Sequence, residues 1–205
     1  MGQKIATFKK NSELSITEIF DLLPWNIFPS SAQVDFFLFA SGIKPAVRTK
    51  IKDLTDQSFI VPLLISLQWF PLIDETGFCI VSHDKEYSKV ILKTDKSLEP
   101  HEMQLGELLG YPGCCAKHCM TIGESNIDNY AKEFARNTHK QNIKLLNISH
   151  YEQGISLISH IPCSYNCQPS INMAKETLRQ LKKQPNDGRI NQWKARVLSG
   201  LKLLR

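Results

Sequence analysis

Five of the six cysteines in this 205-residue chain lie in two short windows that are far apart in the sequence. The first window runs from Gly110 to Cys119 and contains the pattern C-C-x3-C. The second runs from His160 to Cys167 and contains C-x3-C, 43 residues after the first group. Cysteines that only fill a core would be scattered along the chain. The pattern therefore predicts that the fold brings both windows together for metal binding or thiol chemistry.

The first window is predicted to begin at a helix N-terminus. Gly110 can end a preceding helix in a left-handed conformation, and Pro112 can begin the next one. Cys115 and Cys119 would then share one helix face, because residues four apart are neighbours on a helix surface. Free N–H groups and the helix dipole at that end lower the pKa of a thiol and favour the thiolate.

The second window permits two local structures. If it is helical, Cys163 and Cys167 share a face in the same way. If it is not, Pro162 to Ser164 forms a tight loop and Cys167 stands at the start of a helix that Pro169 opens. In both cases four thiols from the two windows can converge, and a fifth is left over.

Four interpretations of this group remain open at this stage. Iron–sulfur ligation is favoured, because the donors are all cysteines on helix-terminal segments with N–H groups free to bond sulfur. Zinc is the runner-up, because its spacing range tolerates C-x3-C although neither window contains C-x2-C. A metal-free cysteine nucleophile is the third interpretation. Buried structural cysteines are the fourth.

These interpretations name overlapping sets of residues. The candidate metal ligands are Cys114, Cys115, Cys119, Cys163 and Cys167. The leading cofactor ligands are Cys114, Cys115, Cys163 and Cys167. The candidate catalytic residues are Cys114 and Cys163 as reactive thiols, His160 as acid or base, and Tyr111 as a wall of a substrate pocket. The sixth cysteine, Cys79, is interpreted as a buried apolar residue inside a strand.

The same two windows carry a resemblance. Leu109-Gly110-Tyr111-Pro112-x-Cys114-Cys115, together with His160-x-Pro162-Cys163-Ser164-x-x-Cys167, resembles a family of small archaeal and bacterial proteins of unknown function with G-Y-P-x-C-C and P-C-S-x-x-C signatures. The resemblance covers roughly residues 78–182. It implies that Cys114, Cys115, Cys163 and Cys167 form a joint site. It leaves Cys119 outside the pattern and supplies no reaction.

We expect an α+β fold in a single domain. The predicted parts are a helical N-terminal region over residues 1–75, an α+β core with the cysteine motifs over 76–185, and a basic amphipathic helix over 186–205. A capping box at Ser15 predicts one early helix, and Ser31 to Ala40 predicts another. A small sheet is expected from segments 78–83, 88–93, 143–148 and 155–158.

Charge and hydropathy bear on partners and location. The net charge of +5 comes from residues 173–205, which hold nine Lys or Arg against two Asp or Glu. Such a segment can meet nucleic acid or an acidic partner, or it can be a solvated helix face. The N-terminus lacks a signal-peptide core, and the longest apolar run, Phe59 to Leu67, is too short to span a bilayer. We therefore expect a cytoplasmic protein without a membrane span.

The sequence gives little on the reaction. It contains no Gly-rich phosphate loop, no H-E-x-x-H and no G-x-S-x-G. If the protein is an enzyme, redox or sulfur-transfer chemistry on a small-molecule substrate is the expectation. The non-enzymatic rival is a zinc-stabilised module that binds nucleic acid or a protein through the C-terminal helix.

Overall fold

The computed structural model describes residues 14–98, 100–140 and 144–202. The helices are α1 Ile16–Leu22, α2 Ala32–Ala40, α3 Gln57–Ser66, α4 Lys85–Asp95, α5 Glu102–Leu108, α6 Gly113–Ile122, α7 Glu124–Lys140, α8 Gln168–Lys183 and α9 Gly188–Lys202. The strands are β1 Ala46–Lys50, β2 Phe70–Ile73 and β3 Phe78–Ser82. The predicted α+β single domain with a small sheet is confirmed.

Helix α2 is the centre of the molecule. Its sequence is apolar on all sides, as expected for a helix that is buried all round, and seven of its nine residues are buried. Phe36 and Phe39 pack into one core cluster with α1, α3 and the sheet. Val34 and Phe37 pack into a second cluster with α7, α8 and α9. The helix thus joins the N-terminal half of the core to the C-terminal half.

The sheet is antiparallel, with the order β1-β3-β2. Val47 of β1 pairs with Val81 of β3, and both side chains enter the core shared with α1, α2 and α3. Because successive residues of a strand point to opposite faces, Ile80 enters the opposite cluster, which contains Ile91 of α4. The sheet is therefore covered on both faces by helices.

The positions predicted for three of the strands were wrong. Segment 88–93 lies inside α4, because Asp84 caps that helix by accepting a hydrogen bond from the N–H of Tyr87 at 2.7 Å. Its buried residues Ser88 and Ile91 are three apart, which is a helical spacing. The hairpin partner of β3 is β2, which was not predicted, and β1 was also missed.

Segments 144–148 and 155–158 form no strand, and Ile143 lies outside the described residues. An isolated bridge joins His150 to Ile155. Consecutive residues Leu157 and Ile158 are both buried in the second core cluster, so this segment packs on more than one side instead of presenting one face.

The predicted first helix and the predicted C-terminal helix are present in the structure. Ser15 and Glu18 form the predicted capping box at α1. Gly42 follows α2 with a φ of +69°. The predicted basic C-terminal helix is present as α9, which packs against α1. In the part of the chain that the structure describes, none of the helices combines the length and apolar character needed to cross a bilayer.

Candidate metal centre

The turn between α5 and α6 places the first two cysteines. Gly110 has a φ of +80°, which lets the chain reverse against Pro45. The carbonyl of Pro112 accepts hydrogen bonds from the N–H groups of Cys115 and the next residue, at 2.8 and 3.0 Å, and so begins α6. Cys114 and Cys115 consequently lie in the first turn of a helix, as predicted.

The second window takes the loop form, not the helical one. Cys167 donates its N–H to the carbonyl of Ser164 at 3.2 Å and is the residue that precedes α8. Pro169 stands in the first turn of that helix, as expected. Cys163 lies in the irregular loop before this turn. Two helix N-termini therefore meet at the cysteines.

The fold brings four thiols into one compact group. The Sγ atoms of Cys114, Cys115, Cys163 and Cys167 all lie within 4.8 Å of one another. Cys114 is 3.9 Å from Cys115 and 3.7 Å from Cys167, and Cys115 is 3.5 Å from Cys167. All of these cysteines are free thiols. Four sulfur donors at this separation can bind a metal.

The two buried sulfurs, those of Cys115 and Cys167, form hydrogen bonds with neighbouring protein groups. The hydroxyl of Ser170 lies 3.3 Å from the Sγ atoms of both Cys115 and Cys167. The backbone N–H of Cys163 donates to the Sγ atom of Cys115 at 3.4 Å. Nε2 of His160 lies 2.8 Å from the hydroxyl of Ser170. Hydrogen bonds of this kind to ligand atoms orient the ligands of a metal and stabilise their charge.

The pKa values of the thiols differ strongly within the group. Burial raises the pKa of Cys115, and burial together with bonds to neighbouring thiols raises the pKa of Cys163 to about 11. Burial alone would also raise the pKa of Cys167, but hydrogen bonds from the hydroxyl and amide of Ser170 outweigh it and lower that pKa to about 7. The group therefore contains one thiol, that of Cys167, that ionises readily, and two, those of Cys115 and Cys163, that need a further positive charge.

Cys119 and Cys79 lie elsewhere. Cys119 follows Cys115 by one helical turn, a rise of about 6 Å along α6, and among the described residues it is not a member of the four-thiol group. It lines a neighbouring cavity instead. Cys79 is fully buried in β3, as predicted, and burial raises its pKa to about 12.

His160 and Tyr111 lie beside the thiols, not among them. The two rings are 5.3 Å apart, and both residues line the cavity next to α6. His160 is only 7% exposed, and burial followed by the positive charge of Lys44 lowers its pKa to about 3. His160 is therefore a neutral imidazole that contacts the sulfurs through Ser170.

A buried charged network adjoins this cavity, and the sequence interpretation did not include it. Nζ of Lys44 donates to Asp35 at 2.6 Å and to the hydroxyl of Ser159 at 2.9 Å. The Tyr151 hydroxyl donates to the other oxygen of Asp35 at 2.6 Å. The signal was Asp35 itself, because a carboxylate inside an apolar helix requires a partner. Lys44 is only nine residues away but lies beyond the end of α2, and Tyr151 is 116 residues away, so neither partner could be identified from a local pattern.

The basic helix α9 uses part of its charge within the protein. Nζ of Lys194 donates to the carbonyl of Gln184 and the amide oxygen of Asn186, and the residue is 9% exposed. Arg189 donates to the carbonyl of Leu23 at 3.0 Å. These side chains hold the last helix in place. Binding of nucleic acid or an acidic partner through α9 stays a prediction.

Comparisons with known proteins place both cysteine windows in a protein family. No curated protein and no solved structure matches the chain significantly. The model of a family of proteins of unknown function, DUF483, matches residues 80–187, more than half of the chain and both cysteine windows. The resemblance to an uncharacterised family is therefore confirmed, and this chain belongs to the DUF483 family.

Proposed function

We propose that Cys114, Cys115, Cys163 and Cys167 bind one zinc ion in a closed site that stabilises the fold. The supporting observation is the spacing of the sulfurs. Zinc–thiolate bonds of about 2.3 Å in a tetrahedron separate the sulfurs by about 3.8 Å. Three of the Sγ separations, those among Cys114, Cys115 and Cys167, are 3.5, 3.7 and 3.9 Å, and all four sulfurs lie within 4.8 Å of one another. Four thiolates leave no position for a substrate, which is typical of a structural zinc site.

The spacing supports a single ion more than an iron–sulfur cluster. In a four-iron cluster each cysteine binds a different iron, so the ligand sulfurs must surround the whole cluster. A group that fits within 4.8 Å has room for one ion at its centre. A single iron ion would accept the same four ligands. The composition of the bound metal therefore decides between these centres.

The geometry gives less support to a metal-free nucleophile. A catalytic thiol needs an adjacent base within hydrogen-bond reach. The thiol of Cys167, whose pKa is lowered, is buried, and the neighbouring imidazole of His160 contacts Ser170 instead of a sulfur. A zinc ion would instead supply the positive charge that the thiols with raised pKa require.

The proposal is tested by measuring metal and sulfide in the purified full-length protein. We expect about one zinc per chain and a colourless protein. Cys114→Ser should give up its zinc to a chelator that leaves Cys119→Ser loaded. Cys114 is exposed, so its change does not disturb the core, and Cys119 lies in the same helix outside the four-thiol group.

Cobalt offers an independent readout of the ligand set. Replacing zinc by Co²⁺ should give the strong visible absorption of a tetrahedral cobalt–thiolate centre, and Cys114→Ser should change that spectrum while Cys119→Ser should not. A brown protein that contains iron and sulfide, or equal zinc loss from both variants, would overturn the proposal.

A further inference from the structure

An acidic cleft lies beside the metal centre and is formed by two adjoining cavities of about 440 and 460 Å³. Both volumes are in the range of sites that hold small molecules. The cavities share five lining residues: Asp128, Tyr151, Ser159, His160 and Ile161. The proposed zinc site does not use this space, because none of its four cysteine ligands lines either cavity.

Two buried atoms in the wall of the cleft lack a hydrogen-bond partner within the described residues. They are Nδ1 of His160 and Oε2 of Glu102. Buried polar atoms are nearly always paired, so an unpaired one calls for a ligand or a bound water. Both residues line the same cavity, and His160 is more than nine-tenths buried.

The hydrogen bonds of Ser170 determine which kind of partner His160 needs. The hydroxyl has one proton and contacts two sulfurs and Nε2 of His160. If the sulfurs are metal-bound thiolates, as proposed above, they can only accept, so the proton of Ser170 goes to a sulfur. His160 must then donate from Nε2, and its Nδ1 carries the lone pair. This step rests on the proposed function.

Both unpartnered atoms are consequently acceptors. An ionised carboxylate offers only acceptor sites, and Nδ1 of this neutral tautomer does the same. The Tyr151 hydroxyl, which donates its proton to Asp35, also presents lone pairs on the wall of the cleft. The missing partner is therefore a group with several N–H or O–H donors.

The charge of the cleft favours a cation as that donor. The charged residues of the lining are the cations Arg48 and Lys132 and the carboxylates Asp95, Glu102, Asp128 and Glu152. Nε of Arg48 is paired with Asp95 at 3.0 Å, so these two charges compensate each other, and three carboxylates of the lining stand against Lys132. Walls with an excess of one charge concentrate ligands of the opposite charge.

A second metal ion would be the other cation to consider. Among the residues that the structure describes, the cysteines are the one group of three or more potential ligands placed close enough to hold an ion. We therefore propose that the acidic cleft binds a small molecule through a protonated primary amine. The ammonium group donates to Nδ1 of His160 and to the Glu102 carboxylate.

The test is isothermal titration of full-length protein with four probes of similar size. Butylamine and 1,4-diaminobutane carry the proposed group, whereas 1,4-butanediol and succinate are the neutral and anionic controls. We expect the two amines to bind and the controls not to bind. Glu102→Gln should weaken amine binding about tenfold or more, because the ammonium group then meets a neutral amide oxygen in place of a carboxylate and loses a charge-assisted hydrogen bond.

Glu107→Gln is the matched control, because Glu107 lies on the exposed face of the same helix and outside both cavities. Zinc is measured in every sample. Zinc-loaded protein that binds neither amine, that binds succinate in preference, or that responds equally to both glutamate changes would overturn the amine proposal. Protein without zinc that still binds both amines, and loses binding with Glu102→Gln alone, would overturn the zinc centre and support the cleft.

Discussion

At the scale of single residues, the core contains a buried ion pair between Asp35 and Lys44. Their side chains are 3% and 1% exposed, and removal of two charges from water costs several kcal/mol per ion. Burial alone would lower the pKa of Lys44, but the charge of Asp35 raises it, so Lys44 stays charged. Tyr151 and Ser159 complete the network.

Lys44→Met should therefore destabilise the protein by about 3–5 kcal/mol, because it leaves the carboxylate of Asp35 buried without its cation. The free energy of unfolding is measured by urea titration of zinc-loaded protein. The control is the double change Asp35→Asn with Lys44→Met, in which no buried charge remains and most of the loss should be recovered. Equal losses in the single and the double variant would contradict this account.

At the scale of the elements, the turn at Gly110 connects this network to the metal centre. A Cβ atom at Gly110 would overlap Cδ of Pro45, next to Lys44. The ring of the next residue, Tyr111, lies 5.0 Å from Nζ of Lys44. The N–H of Tyr111 donates a hydrogen bond to the carbonyl of Gly106. The turn thus fixes where α6 begins, and with it the position of Cys114.

Gly110→Ala should cost more stability than Gly42→Ala. Both residues have a positive φ, which costs a residue with a Cβ about 1–2 kcal/mol, but Gly42 has open space around it and Gly110 does not. Urea titration should show the larger loss for Gly110→Ala. That variant should also lose zinc to a chelator more readily. Equal behaviour of the two variants would show that the contact with Pro45 has no influence on α6.

The elements around the cysteines could be predicted because their signals are local. Gly110, Pro112 and Pro169 act on the residues next to them, so both helix N-termini were found from the sequence. The strands could not be predicted as well. β2 has only four residues, begins with Phe70-Pro71, and owes its structure to pairing with β3. Segment 88–93 was misjudged because β-branched residues also occur on the buried face of a helix.

At the scale of the whole molecule, the thiols link segments that are more than 50 residues apart. If zinc binds there, its removal should loosen the N-terminal turns of α6 and α8 and the loop before α8. Hydrogen exchange with and without a chelator measures this. Protection should fall in those segments first, while α2 and β3 remain protected, because none of the four thiols belongs to the core cluster between them.

Cys119→Ser should show the same response to the chelator as the unchanged protein, since it is outside the four-thiol group. Uniform loss of protection over α2 and β3 would contradict a local role for the metal. No change in any segment would show that the metal does not support the fold.

The convergence of the four cysteines was predictable because clustering in two short windows favours a shared site over scattered core positions. The buried charged network beside the cleft was not, because its parts are single residues without a motif. Asp35 and Tyr151 are 116 residues apart, and Lys44 and Ser159 are 115 apart. Such pairs are fixed by how α2 sits between the two halves of the core, which depends on packing over the whole chain.

The packing of α9 on α1 has a consequence for synthesis on the ribosome. Asp21 of α1 accepts a hydrogen bond from the N–H of Arg189 at 2.7 Å, and the ring of Trp193 packs at a tilt against those of Phe20 and Phe37. During synthesis, the aromatic side chains of α1 and α2 that contact Trp193 therefore stay uncovered until α9 has been made. Closing so long a loop is slow, and exposed apolar surface during that delay promotes aggregation. A chain truncated before α9 would leave this apolar surface of α1 and α2 permanently exposed.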